Sequence, residues 1–144
     1  MASKSVREIV ESAILAHLTA QTELSGVNVY RGIEVSTENL PSLVVNCSSV
    51  SSPNEIPGGM GNYVCNVTLE LYTSADATSA KTDHRDRSAA MLGAMQDVTA
   101  LKAVFVTQGD ATCYDAIPDT VDDGKGDRAL GTMATYSVLI VLPA

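Results

Sequence analysis

The chain has 144 residues and 15.1 kDa, 45% of them hydrophobic, with a mean hydropathy of +0.11, which is enough apolar residue for one buried core and too much for a disordered tail. Seventeen acidic against nine basic residues give a formal net charge of -8. That balance opposes a grip along a phosphate backbone, which draws its affinity from clustered Lys and Arg.

The N-terminal segment MASKSVREIVES places Arg7, Glu8 and Glu11 where a signal peptide needs its apolar centre. No apolar stretch reaches the roughly 18 to 20 residues that span a bilayer, so a protein made and kept in the cytosol is expected. One Phe, five Tyr and no Trp leave no stacking platform for single strands. Residues 3–20 predict an amphipathic helix, because Val6, Ile9, Val10, Ala13, Ile14 and Leu18 recur at helical spacing and Ser5 with Glu8 makes a capping box. His17 falls between those apolar positions with no ligand cluster beside it and is read as a helix-end or rim histidine.

A short strand is expected over Val27 to Arg31, then a loop over Glu34 to Asn39. Pro41 introduces a strand over Ser42 to Val50, with Leu43, Val45 and Cys47 on one face. The segment SSPNEIPGGMGN holds prolines and glycines that no ladder accommodates and reads as a long loop. Tyr63 to Tyr72 alternates cleanly, Tyr63, Cys65, Val67, Leu69 and Leu71 against Asn66, Thr68 and Glu70, as a half-buried antiparallel strand does.

Residues 79–97 return to helical period with a charged first half, His84-Arg85-Asp86-Arg87 among it. Ala100 to Thr107, with Val104, Phe105 and Val106, is expected to be a short strand, and Cys113 to Ile117 its partner across Gln108-Gly109-Asp110. Ile117 to Gly126 reads as an acidic loop. Arg128 to Leu142 is the longest strand, alternating Thr132, Ala134, Tyr136, Val138, Ile140 and Leu142 against Met133, Thr135, Ser137, Leu139 and Val141. No internal repeat or linker divides the chain. The order predicts one α+β domain, residues 1–144, with a mainly antiparallel mixed sheet of about five strands and two α-helices packed on one face.

Chemistry is hard to find along this order. The cluster Gly58-Gly59-Met60-Gly61 leads into a strand rather than a helix, so it lacks the N-terminus that holds phosphate. No G-x-S-x-G or H-E-x-x-H occurs. Asp119 to Asp127 fits a calcium loop at Asp123-Gly124, then fails at Val121 and Leu130, where ligands are required. Cys47, Cys65 and Cys113 share faces with valines or stand without C-x-x-C spacing, and read as free core thiols. His84 to Arg87 reads as a solvated helix face or an interface. Neither catalytic residues, nor a cofactor, nor a metal site is expected.

The helix VREIVESAILAHL, the strand entry LPSLVVNCSSV, the strand YVCNVTLELYTSAD running into a helix after KTDHRDR, and the closing ATYSVLIVLPA together resemble the tail terminator, or tail completion, proteins of long-tailed bacteriophages. The resemblance implies a structural virion protein at the neck, assembled in the host cytoplasm as a ring, commonly of six copies. Such a ring caps the head-proximal end of the tail tube, stops its polymerisation and docks the head-tail connector protein. Its partners would be further copies of itself, the tail tube protein and the connector, with DNA passing through the lumen without specific binding. On that reading Asn54, Glu55, Met60 and Asn62 of one loop, and Asp119, Asp122, Asp123 and Lys125 of the other, are the expected contacts with tube, neighbour or lumen, and Arg85 and Arg87 expected subunit contacts. The alternatives are another neck protein of the same particle and a small cytosolic protein-binding module.

Overall fold

A computed structural model describes residues 5–31, 40–51, 62–75, 79–125 and 129–142. Helix α1, Val6–Thr19, starts where Ser5 Oγ accepts the Glu8 N–H at 3.1 Å, as the capping box requires. A 3-10 turn, Thr22–Leu24, leads into strand β1, Asn28–Arg31. Strands β2, Ser42–Ser51, and β3, Asn62–Ser74, follow; then helices α2, Ala80–Gln96, and α3, Val98–Gln108; then strands β4, Thr112–Lys125, and β5, Ala129–Val141.

The five strands form one sheet in the order β1-β2-β3-β5-β4. The β1/β2 pair is parallel and the other three are antiparallel, so the α+β class and mixed sheet stand as expected. Hairpin partner β5 enters between β3 and β4, pairing with β3 over Asn62↔Val141 to Ser74↔Ala129. Of the residues assigned inward by alternation on the three central strands, Leu43, Val45, Cys47, Cys65, Val67, Leu69, Leu71, Thr132, Ala134, Tyr136, Val138 and Ile140 are buried, while Tyr63 and Leu142 at the strand ends are partly buried. The buried apolar ones join Ile14 and Leu18 of α1, Met91 and Met95 of α2, and Leu101 and Phe105 of α3 in one core. Among the described residues no single helix is long and apolar enough to cross a membrane.

Two expected elements are corrected. Ala100 to Thr107 is helical, so there are three helices rather than two. Asp97 Oδ1 accepts the Ala100 N–H at 3.2 Å, Leu101 and Phe105 bury one face at i, i+4 spacing, and Gly109 ends the helix at φ 74°. Cap, spacing and left-handed glycine together outweigh the strand preference of Val104, Phe105 and Val106. Cys113 therefore has no partner in that segment, and β4 pairs with β5 instead. The second correction is larger: Ile117 to Lys125 continues β4 rather than looping out. Pairing with β5 overrides the poor strand preference of its Asp and Gly residues. The edge position tolerates Pro118 and the two register shifts, at Cys113/Asp115 and Pro118/Thr120.

The loops expected over Glu34 to Asn39 and at Pro53 to Gly61 lie outside the described residues. His17 lies in the last turn of α1, at a helix end as expected, but is buried rather than at a rim, and its Nε2–H donates to the Ala94 carbonyl at 2.7 Å, tying α1 to α2. The three cysteines are free and buried. The neighbouring Cys47 thiol together with burial holds the Cys65 thiol far above the usual range, and burial is the main cause that pushes Cys113 up. On β2, the register shift between Cys47 and Ser49 is met from the helix layer, where Glu11 Oε2 accepts the Cys47 N–H at 2.8 Å.

Candidate functional site

Inward alternation on β3 and β5 places a threonine at one end of each apolar row, Thr73 after Leu71 and Thr132 before Ala134. On α2 the buried positions Ala80, His84, Met91 and Met95 fall on one stripe, so a histidine faces those two threonines. His84 Nδ1 lies 2.8 Å from Thr73 Oγ1, and His84 Nε2 lies 2.8 Å from Thr132 Oγ1. Thr132 Oγ1 in turn donates to Asp123 Oδ1 at 2.7 Å, across the β4/β5 ladder.

The proton inventory orders this chain. An ionised carboxylate only accepts, so the single hydroxyl hydrogen of Thr132 goes to Asp123. Thr132 then accepts from His84 Nε2–H, and neutral His84 accepts at Nδ1 from the Thr73 hydroxyl. Burial holds the His84 pKa below its ordinary value against the opposing pull of the Asp123 charge, and Arg87 pushes in the same direction as burial. The histidine is thus neutral at pH 7, with both ring nitrogens satisfied.

Beside the chain, a cleft of about 510 Å³ opens between α2 and the far end of the β4/β5 hairpin. Lys81, Arg85 and Ser88 line its helix side, Asp123 the strand side, and Leu92 with Leu130 its apolar floor. Through Leu92 it adjoins a second, apolar groove of about 290 Å³ along the same seam, walled by Met95, Val98, Pro118, Val121 and Tyr136. Thr73 is only 2% exposed. The His84 chain fastens α2 to three strands and fixes one wall of the seam.

Of the residues singled out in the sequence, the structure brings together Asp123 and Arg85, both lining the cleft. Arg87 stands near enough to act on His84 but does not line it. Asp122 faces the other side of the sheet, in a hollow with Tyr72, Gly131 and Met133. Asp119 is exposed at a register shift of β4. Asn62 opens β3 and Lys125 closes β4, while Asn54, Glu55 and Met60 lie outside the described residues.

His84, expected on a solvated helix face, is buried; its partners Thr73 and Thr132 carried no expected role. The available signal was three polar residues on otherwise apolar faces. Among the described residues, no group of three or more His, Cys, Asp or Glu is placed to hold a metal ion. The strand geometry of Asp119 to Lys125 also replaces the loop that a calcium site of the tested kind needs. Compared with known proteins, the chain matches no family model and none of the curated sequences.

Proposed function

We propose that this chain is a tail terminator subunit: a structural protein of a long-tailed phage particle that forms a ring, of six copies, at the head-proximal end of the tail tube. It ends tube polymerisation, presents a surface to the head-tail connector, and works without catalysis or a cofactor while DNA passes through the lumen. The observation that carries the reading is the concentration of exposed apolar side chains at one edge of the sheet. Tyr114, Ile117 and Val121 of the edge strand β4 are 46% to 58% exposed, and Met133 of the adjoining β5, on the sheet face opposite to Val121, is 43% exposed, together four of the six large exposed hydrophobics among the described residues. A patch of this kind marks an association surface, and an edge strand with only one paired neighbour among the described residues gives a subunit a side on which to join another.

The test is the mass in solution by light scattering coupled to size exclusion, followed by addition of the chain to polymerising tail tube protein. A mass near six times 15.1 kDa, with tubes shortened and capped at one end under the electron microscope, is the expected result. A 15.1 kDa species at every concentration, with tube growth unaffected, overturns the reading. The α2/β4 seam favours a second reading, a binding module that takes a segment of a partner protein; it predicts a monomer or dimer and a stoichiometric complex with that partner.

A further inference from the structure

The two lateral edges of the sheet differ in charge, and each carries exposed apolar surface, more of it on the β4 side. On one side, among the described residues, β4 pairs only with β5, and it carries Asp119, Asp122 and Asp123, all exposed, beside Tyr114, Ile117 and Val121. The opposite side is stepped: β1 covers β2 only from Ser42 to Val45, so among the described residues no strand is paired to Asn46–Ser51 on that side. Two exposed arginines stand over this step. Arg31 ends β1 and donates to Ser12 Oγ of α1 at 2.8 Å, and Arg7 of α1 reaches the Ser48 carbonyl of β2 at 3.5 Å. Val29 of β1 is the exposed apolar residue there. Of the two acids of α1, Glu11 is buried and occupied by the Cys47 N–H, and Glu8 is exposed.

Resting on the ring reading, we propose that the acidic β4 edge of one copy docks on the arginine-bearing α1/β1/β2 edge of the next, a head-to-tail contact between opposite sides of the same subunit. Because the two surfaces differ, the contact repeats around a ring and leaves no copy with both edges free once the ring closes. Pro118 and the two register shifts on β4 remove regular ladder hydrogen bonding from its middle. Side chains rather than a continued sheet then supply the contact: carboxylates against guanidinium groups around an apolar centre. A strand of fourteen residues extends roughly 45 Å. A strip of that length reaches the ~800 Å² per partner of a standard interface with a width of about 18 Å.

The test uses two charge-reversed full-length variants, Asp119→Lys/Asp122→Lys and Arg7→Glu/Arg31→Glu, weighed alone and as an equimolar mixture. These residues lie outside the core and outside the His84 chain. The first variant has two basic edges and the second two acidic edges, so each repels its own kind and attracts the other. Each alone is expected to associate at least about tenfold more weakly than the natural chain, and the mixture is expected to recover the natural mass by alternating the two. Recovery also shows that both variants are folded, and the neutral pair Asp119→Asn/Asp122→Asn should lose less than the reversed one. If both variants keep the natural oligomeric mass, the docking is wrong and the ring reading stands. If each dissociates and the mixture fails to reassemble, the pairing of these two edges is wrong. A natural chain that stays at 15.1 kDa at all concentrations overturns the ring reading and this docking together.

Discussion

The Thr132 hydroxyl works in two directions, accepting from His84 and donating to Asp123, so its loss is felt on both sides. Thr132→Val keeps the shape and leaves a buried imidazole N–H without an acceptor, which should cost about 1 to 3 kcal/mol in urea unfolding; Thr132→Ser should retain most of it. The same site gives stability a pH dependence. With the folded-state pKa of His84 depressed by burial, the unfolded chain takes up its proton first. The contribution is complete above about pH 6.5, the ordinary histidine value, and is lost as pH falls from there through the folded-state pKa. Thermal unfolding from pH 7 to 5 should show a falling midpoint, and His84→Asn should flatten that fall relative to the natural chain. No such flattening would mean that the histidine titrates alike in both states.

At the scale of elements, α3 depends on its two ends. Asp97→Ala removes the side-chain acceptor of the Ala100 N–H and should cost about 1 kcal/mol. Gly109→Ala forces a β-carbon into a φ of 74°, at a similar cost of about 1 kcal/mol. The sites are separated by the length of α3, 11 residues, or about 16 Å, so the double variant should lose the sum in chemical denaturation. A clearly smaller loss would mean that the helix frays from one end without needing the other. Both residues stand in the sequence, yet Val104, Phe105 and Val106, whose strand preference is local, predict a strand there. Central strands β2, β3 and β5 were legible because alternation reports burial directly, residue by residue. The outer half of β4 was not, since Pro118-Asp119 and Asp122-Asp123-Gly124 look like loop until β5 lies beside them.

For the whole molecule, the sheet separates residues that hold the fold from residues free to serve a neighbour. Leu69→Ala empties a site at 0% exposure and should cost about 2 to 5 kcal/mol. Met133→Ser, on the exposed side of β5, should change subunit stability by less than about 0.5 kcal/mol while lowering the mass measured by light scattering. If Met133→Ser unfolds the subunit instead, the β4/β5 patch belongs to the core and not to an association surface. The sequence alone determined the class of fold, the inward rows of the central strands, the capped first helix and the free core thiols, because period and capping are local properties of consecutive residues. Only the tertiary structure decided that His84 turns inward between Thr73 and Thr132, that Asp122 and Asp123 face opposite sides of the sheet, and that Arg7 and Arg31 stand over one edge while exposed aspartates line the other. Those facts depend on which strands become neighbours across long stretches of chain, and the pairing of β5 between β3 and β4 is set by the burial of the whole core rather than by any segment.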